Sequence, residues 1–145
     1  MKNLNFKILK RKLTNNALYS KLKYNEVELR FEVLFKEIKK FTTKEYEMAD
    51  GTKIVVNTLS PTDLIKEKIE AYLKRFKIRD LYDIFFLLDF VNQKEIGKNI
   101  FHFLENFKYP EDEKELKYLI IVGVAPKLEE ILEKIKKYGK NKTYQ

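Results

Sequence analysis

The 145-residue chain has no cysteine, no tryptophan and a single histidine, His102. Without cysteine there is no disulfide framework, no thiolate zinc site and no thiol nucleophile. One histidine and no cysteine also leave no ligand set for a transition metal. Long apolar runs are missing too. None approaches the ~20 residues of a membrane span, and the opening MKNLNFKILKRK lacks the uninterrupted apolar stretch of a secretion signal. These absences lead us to expect a cytoplasmic protein without a membrane partner.

With 44% hydrophobic and 36% charged residues, the length suits one compact domain over 1–145 that buries a single core. Residues 26–58 form its β-rich part and 60–138 its helical part. The net charge of +8 is unevenly distributed. Residues 1–25 carry seven basic side chains and no acid, and 132–145 carry five lysines against Glu133. The middle of the chain is therefore slightly acidic. Two basic ends can form a patch for a polyanion such as RNA, because phosphate contacts come from Lys and Arg irrespective of sequence. They can equally be solvated termini.

Along the chain, Ile8, Leu9, Leu13, Ala17, Leu18 and Leu22 lie close to helical spacing, which predicts one short helix over 8–22. From Glu26 to Ile38 the period becomes two, with Val27, Leu29, Phe31, Val33 and Phe35 alternating with mostly polar residues, a strand pattern. Segments 44–48 and 52–57 flank Ala49-Asp50-Gly51, an Asp-Gly hairpin signal. Together these predict one antiparallel sheet of about three strands. Ser60 before Pro61, with Asp63 in the first turn, starts a helix. Further helices are predicted from Ile78 to Phe90 and over 93–107, 112–123 and 126–138, with Gly139 as a terminal cap. The fold class is α+β, a small antiparallel sheet followed by a helical bundle.

Residues 59–88 carry the chemistry. Lys68, Tyr72, Arg75 and Arg79 follow i, i+4, i+7, i+11 spacing and are placed on one helical edge. Asp80 and Asp83 are three residues apart on the next helix, at the rim of a core, where an unpaired charge is costly. Lys68, Arg75 and Arg79 are the nearest cations in sequence, and such a cluster can grip the phosphates of a nucleotide. The alternative is purely structural, with Asp80 as an N-cap, Asp83 completing a capping box and Arg79 snorkelling.

The run Leu59-Ser60-Pro61, Glu67-Lys68, Ala71, Arg75, Arg79-Asp80-Leu81-Tyr82-Asp83 and Leu87-Leu88 resembles the C-terminal block of the AbiEii-type nucleotidyltransferase toxins of abortive-infection and type IV toxin–antitoxin systems. Leu29-Arg30-Phe31-Glu32-Val33 is similar to that family's strand with a third acidic residue. The resemblance covers roughly residues 26–90. It implies a polymerase-beta-like fold, a nucleoside triphosphate with Mg2+ as cofactors, and nucleotide transfer to a target such as tRNA in some members. It also implies Glu32, Asp80 and Asp83 as catalytic residues and Lys68, Arg75 and Arg79 as nucleotide-binding ones.

The sequence departs from the family at one motif. Such enzymes carry a Gly-Gly or Gly-Ser turn and then an Asp-x-Asp pair that holds two metal ions. Here the glycines are Gly51, Gly97, Gly123 and Gly139, with no doublet and no Asp-x-Asp after any of them. Glu26-Val27-Glu28 and Glu45-Tyr46-Glu47 have the spacing without the turn and read as solvent faces of strands. The expectation is a C-terminal fragment, nucleotide-facing but inactive alone or dependent on a complementary N-terminal chain; the alternative is a non-catalytic RNA- or protein-binding module that uses its basic termini. An antitoxin and RNA are further expected partners, and an uncovered sheet edge or apolar face favours self-association. His102 and the aromatics Phe101, Phe103, Phe107 and Tyr109 read as packing residues.

Overall fold

A computed structural model describes residues 6–38 and 40–140. The chain divides into two compact units, Met1–Lys40 and Phe41–Gln145. Lys2 and Lys142 of the basic ends lie outside the described residues.

The first unit is a three-stranded antiparallel meander, with β1 Lys7–Leu13, β2 Ala17–Tyr24 and β3 Val27–Leu34 in spatial order. The short helix expected over 8–22 is therefore a β-hairpin. Leu18 and Leu22 are four apart, a spacing that one helix face and one strand face share. Pairing with β3 along the whole of β2 decides for the strand, in register from Ala17 opposite Leu34 to Tyr24 opposite Val27. Thr14 makes the reversal between β1 and β2. Its backbone N–H donates to the Ala17 carbonyl at 2.8 Å, and its hydroxyl oxygen accepts from the Ala17 N–H at 3.0 Å. Asn25, at φ 51°, supplies the left-handed residue between β2 and β3. Lys10, Lys12, Tyr19, Lys21, Arg30 and Glu32 share one face by this register, and Ile8, Leu18, Leu22, Leu29, Phe31 and Val33 share the other.

The second unit opens with the predicted hairpin, β4 Thr42–Glu47 and β5 Lys53–Thr58. Gly51 takes φ 80°, where a side chain would be strained, and the Asp50 carboxylate accepts from the Thr52 N–H at 2.9 Å. The single sheet expected to join this hairpin to β3 is instead two sheets, of three and two strands.

Helix α1 runs Pro61–Arg75 with Ser60 as N-cap, its hydroxyl accepting from the Asp63 N–H at 3.1 Å. It ends at Phe76, a left-handed C-cap whose N–H donates to the Tyr72 carbonyl. Helix α2 spans Ile78–Leu87 and tightens into a 3-10 turn through Phe90; α3 spans Gln93–Glu105, α4 Leu116–Leu119 and α5 Leu128–Gly139. The core is built from one stripe per helix, led by Ile65, Ile69 and Tyr72 of α1, Ile78, Leu81 and Ile84 of α2, Ile96, Ile100 and Phe103 of α3, and Ile131 and Ile135 of α5. Burying each such side chain stabilises the fold by about 1.5–3 kcal/mol. The Tyr72 hydroxyl donates to the Lys108 carbonyl at 2.7 Å, so the largest buried side chain leaves no polar atom unpaired.

Two further expectations, both in the second unit, fail. Over 112–123 there is a 3-10 turn, Glu113–Glu115, and the single turn of α4; beyond it Ile121, Val122 and Val124 are exposed. β-branched residues beside Gly123 at φ 99° favour extended backbone, and no core contact overrides that preference. Gly139 is not a cap but the last residue of α5, where an added Cβ would sit 2.7 Å from Leu104 Cδ1. Its lack of a side chain lets α5 approach α3. No helix of the described residues is long and apolar enough to cross a membrane.

Candidate functional site

The two-residue link Phe76-Lys77 turns the chain back, so the first turns of α2 lie against the second half of α1. This brings together four of the candidate residues. Asp80 is wholly buried, and both of its carboxylate oxygens accept from Arg75, from Nε and Nη2 at 2.7 Å each. A bidentate fork of this kind is the strongest form of the Arg–carboxylate contact. The hydrogen bond to Asp80 holds the Arg75 guanidinium above its already high ordinary pKa. Lys68 Nζ lies 2.6 Å from Asp83 Oδ2 and 4.0 Å from Asp80 Oδ1. Two cations face two carboxylates, so the cluster is neutral as it stands.

The members differ in their exposure to water. The Asp83 side chain is 40% exposed and that of Lys68 34%, against 0% for Asp80. Both carboxylates were expected at the rim of the core, but only Asp83 is there. The inner pair is locked, whereas the outer pair is open to solvent and to exchange of partners.

Tyr72 does not share the expected edge, because its ring packs among Phe76, Phe103 and Phe107 in the core. Burial, with a smaller contribution from the Asp112 charge, pushes its hydroxyl pKa up. Arg79 does not continue the α1 edge either; it belongs to α2, is exposed, and pairs with neither carboxylate. The capping alternative also fails for Asp80, since Lys77 occupies the N-cap position. The carboxylate that serves the start of α2 is Asp112, which accepts from the Ile78 N–H at 2.8 Å and lies 3.4 Å from Lys77 Nζ. Nothing local in the sequence pairs residues 78 and 112.

Glu32 lies in the first unit, exposed on β3, beside a shallow depression of about 290 Å³ lined by Lys10, Lys12, Tyr19, Lys21 and Arg30. Among the described residues no group of three or more Asp, Glu, His or Cys side chains is placed to hold a metal ion. Asp80 and Asp83 are each engaged by a cation. His102 is on the surface, 4.0 Å from Glu105, not in the core, and Phe101 and Tyr109 are exposed while Phe103 is buried.

A family model described as "Nucleotidyl transferase AbiEii toxin, Type IV TA system" matches residues 8–137. The chain belongs to this family. The match is wider at both ends than the resemblance over 26–90, taking in the β1–β2 hairpin and nearly all of α5. The Lys68, Arg75, Asp80, Asp83 cluster thus lies inside an AbiEii nucleotidyltransferase domain. No curated protein and no solved structure matches the chain.

Proposed function

We propose that this AbiEii chain supplies the phosphate-holding part of a nucleotidyltransferase toxin, with the metal-binding carboxylates contributed by a complementary chain or segment. The observation that carries the proposal is the division of the cluster into a locked pair and an open one. Arg75 and Asp80 form a rigid base on two packed helices. Lys68 is held over that base by Asp83 at a solvent-exposed rim. Exposed ion pairs are worth about 0–1 kcal/mol, so a phosphate can replace Asp83 as the partner of Lys68 at little cost. Asp80 then positions the ammonium, and Arg79, free of either carboxylate, adds positive charge nearby. Mg2+, which the transfer chemistry of this family calls for, would be held by carboxylates outside the Lys68 cluster, and the antitoxin of the type IV system is the protein partner.

Thermal melts with and without ATP test this reading. A ligand at a hundredfold excess over its Kd stabilises the folded state by about 2.7 kcal/mol. Wild type should gain that stability, and Lys68→Ala should gain none. Equal shifts in both proteins, or none in either, would mean that Lys68 is not part of a nucleotide site.

A further inference from the structure

The charged face of the three-stranded sheet is not used by the Lys68 cluster. In register, Lys10 lies opposite Lys21, and Lys21 lies opposite Arg30, so three cations form one row across the sheet. Like charges directly opposed on neighbouring strands destabilise a sheet. Glu28 forms an ion pair with the central member alone, reaching Lys21 at 2.5 Å. Lys21, first through its hydrogen bond, and then Lys23 and Arg30 hold the Glu28 carboxyl below its usual range. Lys10, Lys12 and Arg30 are exposed and take part in no ion pair among the described residues. The next row places Tyr19 between Lys12 and Glu32, with the residue 43% exposed.

From this arrangement we infer that the sheet face of Lys10, Lys12, Lys21 and Arg30 binds single-stranded nucleic acid, its phosphates on the cations and a base stacked on Tyr19. Three strands spaced about 4.8 Å apart spread the cations over roughly 10 Å, more than one phosphate needs and suited to successive phosphates of a strand. The exposed Tyr19 in the row beside these cations, next to Lys12, is what distinguishes this face from a surface for acidic protein, since an aromatic beside cations gives every base a platform. Glu32, at the edge of the same depression, repels a phosphate placed over it and so biases the path of the strand toward Lys10 and Arg30. The inference does not rest on the Lys68 site, which belongs to the other unit.

Fluorescence anisotropy of the full chain with a labelled single-stranded RNA 12-mer tests it, with duplex RNA and polyglutamate as competitors. Single-stranded RNA should bind saturably, and neither competitor should displace it at equal charge. Tyr19→Ala should weaken binding about tenfold while Tyr19→Phe does not, as expected for stacking. Lys10→Ala/Lys12→Ala/Arg30→Ala should reduce the slope of log affinity against log salt by about two, at roughly 0.7 for each phosphate no longer neutralised. Lys94→Ala/Lys98→Ala, on the exposed face of α3, should leave both quantities unchanged, and circular dichroism checks that every variant is folded. Absence of saturable binding overturns the inference. So do equal displacement by polyglutamate or duplex, wild-type affinity in Tyr19→Ala and the triple variant, or a loss confined to the α3 variant.

Discussion

The locked pair Arg75–Asp80 lends itself to a prediction that surface exposure alone would get backwards. Arg75 is 45% exposed on its side chain and Asp80 is fully buried, so intuition assigns the larger cost to removing Asp80. The physical argument gives the opposite order. Asp80→Asn removes the buried charge, and the guanidinium left behind can turn outward into water. The loss is that of charge-assisted hydrogen bonds, about 1.5–3 kcal/mol. Arg75→Met strands a carboxylate that cannot reach water, with only Lys68 at 4.0 Å to balance it. Leaving a buried charge uncompensated costs about 3–5 kcal/mol, and the open outer edge of this pair puts the expectation near the lower end. The double variant Arg75→Met/Asp80→Asn contains neither charge and should be about as stable as Arg75→Met alone, far from the sum of the two single losses, with a coupling of about 2–3 kcal/mol. The outer pair is the internal control, since Asp83→Asn should cost only about 0–1 kcal/mol. Urea or thermal unfolding followed by circular dichroism measures all four. At about 2–4 °C per kcal/mol for a chain of this size, Arg75→Met should melt roughly 10 °C below wild type. Additive single losses, or an Arg75→Met variant within about 1 kcal/mol of wild type, would refute the claim that Asp80 is trapped.

Two further outcomes follow from the helical unit. Because burial raises the Tyr72 pKa, folding holds its proton; the resulting stability is complete below the ordinary tyrosine value of about 10 and is lost as pH rises above it. Tyr72→Phe should cost about 1 kcal/mol at neutral pH through the lost bond to Lys108, and should flatten the fall in melting temperature between pH 10 and 11, whereas an unchanged alkaline slope would count against the assignment. Gly139→Ala should destabilise by about 1–3 kcal/mol, since its Cβ meets Leu104 Cδ1 and Ile100 Cγ2; a neutral or stabilising effect in the same melts would mean that α3 and α5 are not so closely packed.

Local signals in the sequence determined much of the helical unit. Ser60-Pro61 with Asp63 starts α1, Asp50-Gly51 makes the β4–β5 turn, and the apolar stripes of α1, α2, α3 and α5 each bury as their period requires. The caps and turns need only residues within a turn or two of one another, and the two-residue link between α1 and α2 keeps Lys68 and Arg75 close in sequence to Asp80 and Asp83. Tertiary structure decided what depends on distant partners. Four-residue spacing at Leu18 and Leu22 suits either a helix or a strand, and pairing with β3 made it a strand. The depth of the second unit's core made Asp80 a buried anion and left Asp83 at the rim, although the two carboxylates are chemically identical and three residues apart. Asp112 reaches the start of α2 from 34 residues away, and Gly139 is needed where α5 meets α3. Burial, register and helix approach are properties of pairs of elements, so they emerge only when those elements are packed.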